Sequence, residues 1–316
     1  MEATRRTSVT DQTQSVRVRV PAKVNLALCV GPVGADGYHP LGTVFHAVSL
    51  FDEVLAKPGE PGQVLLTASG EGLADVPVDD SNLACRAARL LAERHGSPQL
   101  GVRLHLKKQI PVAGGMAGGS ADCAGALLAC SMLWDLDTTP DDLHDLAAEL
   151  GSDAPFPLMG GNAIGTGRGD QLVPMISRGS YHWVLAFAHD GLSTPAVFRR
   201  FDELATRPGA PTPSTTIPSE VSAALATGNA VRLGQALRND LQAAAIDLRP
   251  ELAQTLQAGL DAGALGAMVS GSGPTCAFLA ADESAAMDLS SALAKLPSVR
   301  TTRRATGPVP GATIMG

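Results

Sequence analysis

The sequence is poor in aromatic residues: two Trp, two Tyr and seven Phe make up 3% of 316 residues. Its core must therefore be built mainly from Ala, Leu and Val, with closely packed helices and glycines marking bends. The five cysteines, Cys29, Cys85, Cys123, Cys130 and Cys276, form no C-x-x-C pair. Most lie in Ala/Leu/Val surroundings and read as reduced, buried small hydrophobes rather than as metal or redox ligands. No window approaches 18 uninterrupted apolar residues, which argues against a membrane span. The opening MEATRRTSVTDQTQS lacks the apolar stretch of a secretion signal, so a cytoplasmic setting is expected. A basic stripe is missing too. Lys and Arg total 24 against 31 Asp and Glu, for a net charge of −7. The pairs Arg5-Arg6, Lys107-Lys108, Arg199-Arg200 and Arg303-Arg304 read as solvated faces or tails, so no nucleic-acid partner is expected. An acidic total still leaves room for one anion-binding cleft.

What the chain does contain is apolar residues (45%) and 34 glycines, in a length that points to two domains or one elaborated one. Residues 1–15 are polar and expected to be flexible. Val16, Val18 and Val20 alternate with Arg17 and Arg19, a half-buried strand that Pro21 is expected to stop. Further strands are predicted over 25–30, 41–50, 102–108 and 182–187. Helices are predicted over 81–95, capped by Asp80 or Ser81, from Ser120 onward, and over 195–206. Another follows Thr139, with Pro140 at its first position, Asp142 at its third and Gly151 at its end. Three helical windows, near 219–227, 231–246 and 250–262, precede a strand–loop–strand at 263–281 and a last helix at 282–295. The stretch 171–180 is the best domain junction. The succession is α+β and two-lobed, without a regular βαβ repeat.

Four glycines, Gly114, Gly115, Gly118 and Gly119, crowd PVAGGMAGGSAD (111–122), just before an apolar helix. They let backbone approach a ligand, and Ser120 with the following amides offers N–H donors at a helix start, a natural place for phosphate. The loop is neither G-x-x-x-x-G-K-[ST] nor G-x-G-x-x-G, and alone it also suits a close-packing turn. Lys23 and Asn25 in PAKVN face one side of an extended segment. Asp153 in GSDAP directly follows a helix end. If Asp153 and Lys23 converge near the glycine loop, the carboxylate can orient or deprotonate a hydroxyl and the ammonium can offset phosphate charge. A surface lysine and a surface Asx-turn are the alternatives. VSGSGPTCAF (269–278) reads as a second glycine loop or a plain hairpin. Tyr38 and His39 in DGYH can stack on and bond to a ring, or form a partly buried Tyr beside a surface His. H-E-x-x-H, an EF-hand loop and G-x-S-x-G are absent.

Taken in order, PAKVNLAL with DGYHPLGTVFHAVSLFD, PVAGGMAGGSAD, LGSDAPFPLMGGNAIGTGRGD and VSGSGPTCAF resemble the GHMP small-molecule kinases over about residues 16–300. The resemblance implies a two-lobed fold with the active site between lobes: a flexible 1–15, an ATP-binding domain over 16–175, a substrate-side domain over 176–300 and a flexible tail at 301–316. It implies ATP as co-substrate, Mg²⁺, and a small substrate carrying cytidine diphosphate. Asp153 becomes the expected general base and Lys23 its charged neighbour, with Asn25 fixing substrate. Tyr38 would stack on cytosine and His39 bond to its polar edge. Pro111, Gly114, Gly115, Gly118, Gly119 and Ser120 would wrap the ATP phosphates, and Gly271, Ser272 and Gly273 would help close the site. His182, Trp183 and Phe198 are candidates for a second aromatic wall. Met116, Ala117 and Ala121 depart from the family's loop, and Ala117 bears on its geometry. Metal ligands and the choice between monomer and homodimer stay open. The alternatives are another GHMP kinase acting on a small alcohol, or a nucleotide-binding regulator that has lost its chemistry.

Overall fold

The structure is a computed structural model that describes residues 15–112 and 114–315. The expected flexibility of residues 1–14 falls outside that range. Strand β1, Val16–Val30, runs straight through Pro21: its pairing with β2, Leu41–Pro58, shifts register between Pro21 and Ala22. A bulge there spares proline the ladder bond it cannot make, so the expected strand end is instead an irregularity within one long strand. The next strand, β3, Val64–Gly70, was not predicted; it leads to helix α1, Leu83–Arg94, whose cap is Asn82 rather than Asp80 or Ser81. The Ala84 N–H donates to Asn82 Oδ1 at 2.8 Å. Strand β4, Val102–Lys108, runs into the glycine loop and then α2, Gly118–Leu133. Helix α3, Pro140–Leu150, carries the expected box, with Thr139 and Asp142 capping one another and Gly151 at its end.

A short helix, α4, Pro155–Met159, and two strands, β5, Asn162–Thr166, and β6, Gln171–Pro174, follow. Next come β7, Tyr181–Phe187, α5, Thr194–Ala205, and α6, Ser219–Thr227. The window 231–246 is not one helix. It divides into α7, Ala230–Ala236, the two-residue β8, Arg238–Asn239, and α8, Gln242–Leu248. Asn239 breaks it, because its side-chain amide donates to the carbonyls of Val269 and Gly271, both at 2.7 Å. The chain closes with α9, Glu251–Asp261, β9, Gly266–Val269, β10, Cys276–Ala280, α10, Glu283–Leu293, β11, Thr301–Gly307, and β12, Thr313–Met315. The supposed tail at 301–316 is therefore built in through residue 315. Strand β11 pairs with β7 over seven residues, and β12 pairs with β1.

Two sheets result. The first orders its strands β12-β1-β2-β4-β3, with β5 and β8 beside β2 and β1 and β6 beyond β5; the second is β11-β7-β10-β9. Because β8 and β12 return to the first sheet, a cut at residue 175 does not separate the two. The core is Ala-, Leu- and Val-rich, and all five cysteines are free and buried. Gly125 shows why few aromatics suffice: a Cβ there would sit 2.6 Å from Val54 and 2.7 Å from Val20. Helix α2 thus lies almost directly on β1 and β2. No helix among the described residues is long and apolar enough to cross a membrane.

Candidate active site

The long strand β1 carries Lys23 and Asn25 inward, buried in the first sheet. Lys23 Nζ donates to Asn25 Oδ1 at 2.7 Å, and Asn25 Nδ2 donates to Thr43 Oγ1 at 2.8 Å. Thr43 in turn donates to the Ala27 carbonyl at 2.8 Å. This chain of bonds fixes the ammonium while leaving Asn25 one N–H and one lone pair. Asp153, in the turn between α3 and α4, places Oδ2 3.3 Å from Lys23 Nζ. Its side chain stays 34% exposed against 5% for Lys23. One partner is anchored; the other is presented. Lys23 is therefore not a surface lysine, and Asp153 stands in a turn at the edge of its pocket.

Both glycine loops meet at this pair. The Lys23 backbone N–H donates to Met116 O at 3.4 Å. Ser270 Oγ donates to Gly115 O at 3.0 Å. A Cβ on Gly115, whose φ is 75°, would fall 2.0 Å from Ser270 O, so only glycine lets the loops touch. A Cβ on Gly271 would lie 2.9 Å from Gly115 O and 3.5 Å from Lys23 Nζ. Segment 269–278 is a hairpin, β9 to β10, but one whose turn is packed onto the other loop. Helix α2 begins at Gly118 rather than near Ser120, after Ala117 in the left-handed conformation (φ 60°, ψ 37°).

A cleft of about 1290 Å³ opens over these residues. Lys23, Asn25, Asp153, Pro111, Gly114, Gly115, Gly118, Gly119, Gly271 and Ser272 all line it, as do Tyr38 and His39. Ser120 and Gly273 stand just behind; Gly273 N–H closes its turn on Ser270 O at 2.8 Å. Ser272 Oγ lies 2.8 Å from Thr194 Oγ1, joining the hairpin to α5.

At the far end Tyr38 is 55% exposed. His39 Nδ1–H donates to the Gly31 carbonyl at 2.8 Å, and Nε2 faces Asp202 Oδ2 at 3.4 Å. Phe198 on α5 lies 5.2 Å from the His39 ring and also lines the cleft. Trp183 does not: it is fully buried and donates to His46 Nε2 at 3.1 Å, while His182 is likewise absent from the lining. Sequence reasoning missed Arg168. Its guanidinium stacks 3.8 Å over the Tyr38 ring and pairs with Asp36 at 3.0 Å. A charged residue bracketed by glycines in GTGRGD was the available signal. Lys108 was missed as well, having been read as half of a solvated pair; it is 2% exposed.

The match to known proteins covers the whole architecture. GHMP kinases N terminal domain matches residues 82–161 and GHMP kinases C terminal matches 221–298. The 4-diphosphocytidyl-2-C-methyl-D-erythritol kinase of Thermobifida fusca is 58% identical over 307 residues, 95% of this chain and 98% of the relative. That of Mycolicibacterium smegmatis is 53% identical over 304 residues, 96% of this chain and 93% of the relative. Among solved structures, a 4-(cytidine 5'-diphospho)-2C-methyl-D-erythritol kinase superposes with TM-score 0.72 at 33% identity, covering 92% of this chain and 98% of that one. A homoserine kinase from Cytophaga hutchinsonii shares the fold, with TM-score 0.75 at 20% identity over 96% of this chain and 98% of its own. With relatives this similar spanning nearly its full length, the chain belongs to the 4-diphosphocytidyl-2-C-methyl-D-erythritol kinases, within the GHMP kinases.

Proposed function

We propose that the protein transfers the γ-phosphoryl group of ATP to the 2-hydroxyl of 4-diphosphocytidyl-2-C-methyl-D-erythritol, giving ADP and the 2-phosphate for isoprenoid precursor synthesis. The observation that carries this reading is the Lys23–Asp153 pair at the meeting point of two glycine loops, in one cleft with Tyr38, His39 and Phe198. Asp153 orients the hydroxyl and takes its proton as the oxygen–phosphorus bond forms and the bond to the ADP oxygen breaks. Lys23 and the amides of the 114–120 loop stabilise charge spreading over the phosphoryl oxygens. Tyr38 and Phe198 supply apolar walls for the cytosine. His39 Nε2, held only at 3.4 Å by Asp202, is the nitrogen left for its polar edge.

Among the described residues no three His, Cys, Asp or Glu side chains stand close enough to hold a metal ion. That fits Mg²⁺ arriving on ATP, ligated chiefly by phosphate oxygens and water, and supplying charge neutralisation. A cytoplasmic setting fits the five reduced, buried thiols. The ring-lined end of the cleft favours this substrate over a base-free alcohol. The test is ADP release from Mg-ATP with the diphosphocytidyl alcohol, with mevalonate and with homoserine. Turnover with the first alone is expected. Comparable kcat/KM with either base-free alcohol would overturn the substrate assignment.

A further inference from the structure

Beneath the glycine loop lies a cluster of charges that the chemistry above leaves unused. Lys108 ends β4 in the inward register of Val102, Leu104 and Leu106, whereas Lys107 points out to Glu53 at 2.9 Å. Lys108 Nζ donates to Asp52 Oδ2, to Asp122 Oδ2 at 2.5 Å and to the Gly118 carbonyl at 3.3 Å. Asp52 Oδ1 accepts the backbone N–H groups of Gln109 at 2.6 Å and Ile110 at 2.9 Å. Residues 109–110 lead into the loop; Gly118 and Asp122 lead out of it. One buried ammonium, with its two carboxylates, therefore ties both ends of the loop together.

We infer that Lys108, Asp52 and Asp122 are positioning residues that set the phosphate loop's affinity for ATP without touching the nucleotide. The inference rests on the reading that this loop binds ATP. Burying three charged groups is expensive, and apolar residues of similar size often stabilise a fold as well or better. Their distribution argues for geometry rather than bulk stability, since every bond reaches a loop boundary or a partner in the cluster. The cluster also carries a net charge. With both carboxylates ionised it holds one excess negative charge under the phosphates, and Asp122 Oδ1 is buried without a partner. An unpaired oxygen costs far more on a carboxylate than on a neutral carboxyl.

Two charged groups bear on Asp122, Lys108 from β4 and Asp52 from β2. Helix α1 packs alongside, but its Arg86 bears on the neighbouring Cys123. Burial pushes the Asp122 carboxyl up to about 7 against the pull of Lys108, and Asp52 adds to the rise. Burial alone would lower Lys108; Asp122 and Asp52 outweigh it and raise that group. Ionisation of Asp122 above neutrality then opposes the phosphates of ATP and leaves the alcohol end untouched.

The experiment measures Mg-ATP affinity by calorimetry, and KM for both substrates, from pH 6.5 to 8.5 on the full chain. Wild-type affinity for ATP is expected to fall about tenfold over this range, the effect of one pKa unit of coupling. Asp122→Asn should remove that fall. Lys108→Met should raise KM for ATP roughly tenfold and leave KM for the alcohol within about twofold. Asp122→Asn keeping the wild-type pH dependence, or Lys108→Met raising both KM values alike, would overturn the inference. If Lys108→Met does not fold, Asp122→Asn decides. Wild-type protein that fails to bind Mg-ATP at every pH would instead bring down the ATP reading itself, and this inference with it.

Discussion

Asp153 owes its proposed role to being held on one side and open on the other. Its partner Lys23 is buried and bonded to Asn25, while a third of the Asp153 side chain faces the cleft. Asp153→Asn keeps the shape and removes the base, so kcat should drop about 10³-fold, with the thermal midpoint little changed. Steady-state kinetics beside a melting curve checks both; near-normal turnover would take Asp153 out of the mechanism. At the other end, Tyr38→Ala should raise KM for the cytidine substrate about three- to tenfold, the scale of one lost aromatic contact, with KM for ATP unmoved. Both residues were legible, because GSDAP and DGYH are distinctive strings joined to a glycine loop. Lys108 was not. A lysine following a lysine reads as solvent-facing, and only the fold shows that strand alternation points it at Asp52 and Asp122. Arg168 and Phe198 lie far from Tyr38 in sequence, so their convergence depended on how α5 and the 167–170 turn dock.

Among the elements, the glycine loop divides its glycines into those needed for conformation and those needed for space. Gly115 is needed for both, with a left-handed φ and a Ser270 carbonyl where its Cβ would go. Gly115→Ala must push the two loops apart, costing roughly 1–3 kcal/mol and most of the ATP affinity. Ala117 already sits in the left-handed region, a strain of about 1–2 kcal/mol that glycine would relieve. Ala117→Gly gives part of this back as added freedom of the unfolded chain, so unfolding free energy should rise by no more than about 1 kcal/mol. Denaturant titrations of the two variants should move in opposite directions, and a shared direction would contradict this division. A strong cap made α3 readable, clean alternation β4, and a short apolar run β7. The division of 231–246 was hidden because Asn239 breaks the helix through bonds to a hairpin 30 residues away. Strand β12 was hidden for a similar reason: its partner, β1, is almost 300 residues earlier.

For the molecule as a whole, composition foretold a small-residue core and the succession of elements an α+β build, but neither foretold which late strands return to the first sheet. Strand β7 of the second sheet packs against His46 on β2 and buries it; the ring bonds to Asn162 at 2.6 Å and accepts from Trp183. Burial holds the His46 ring down to about 4, the Asn162 bond opposing it. Because the folded value lies below the unfolded one, this contribution is present above about pH 6.5 and disappears as the pH falls towards 4, by up to about 3 kcal/mol. Asp122 works the other way. Its raised value favours the fold at acid pH and is lost as the pH rises towards 7. The two slopes oppose each other between about pH 4 and 6.5, so Asp122→Asn should lose stability on acidification more steeply than wild type. Urea unfolding at pH 7, 5.5 and 4.5, values chosen to span roughly that window, reads the slopes, and a shallower loss in the variant would contradict the assignment. The central claim concerns which oxygen receives the phosphoryl group. Phosphorus NMR of the reaction with Mg-ATP and 4-diphosphocytidyl-2-C-methyl-D-erythritol tests it most directly. The account predicts ADP and a new phosphomonoester on the 2-oxygen, with the cytidine diphosphate linkage intact. ATP consumed without that monoester, or a monoester on another oxygen, would contradict it.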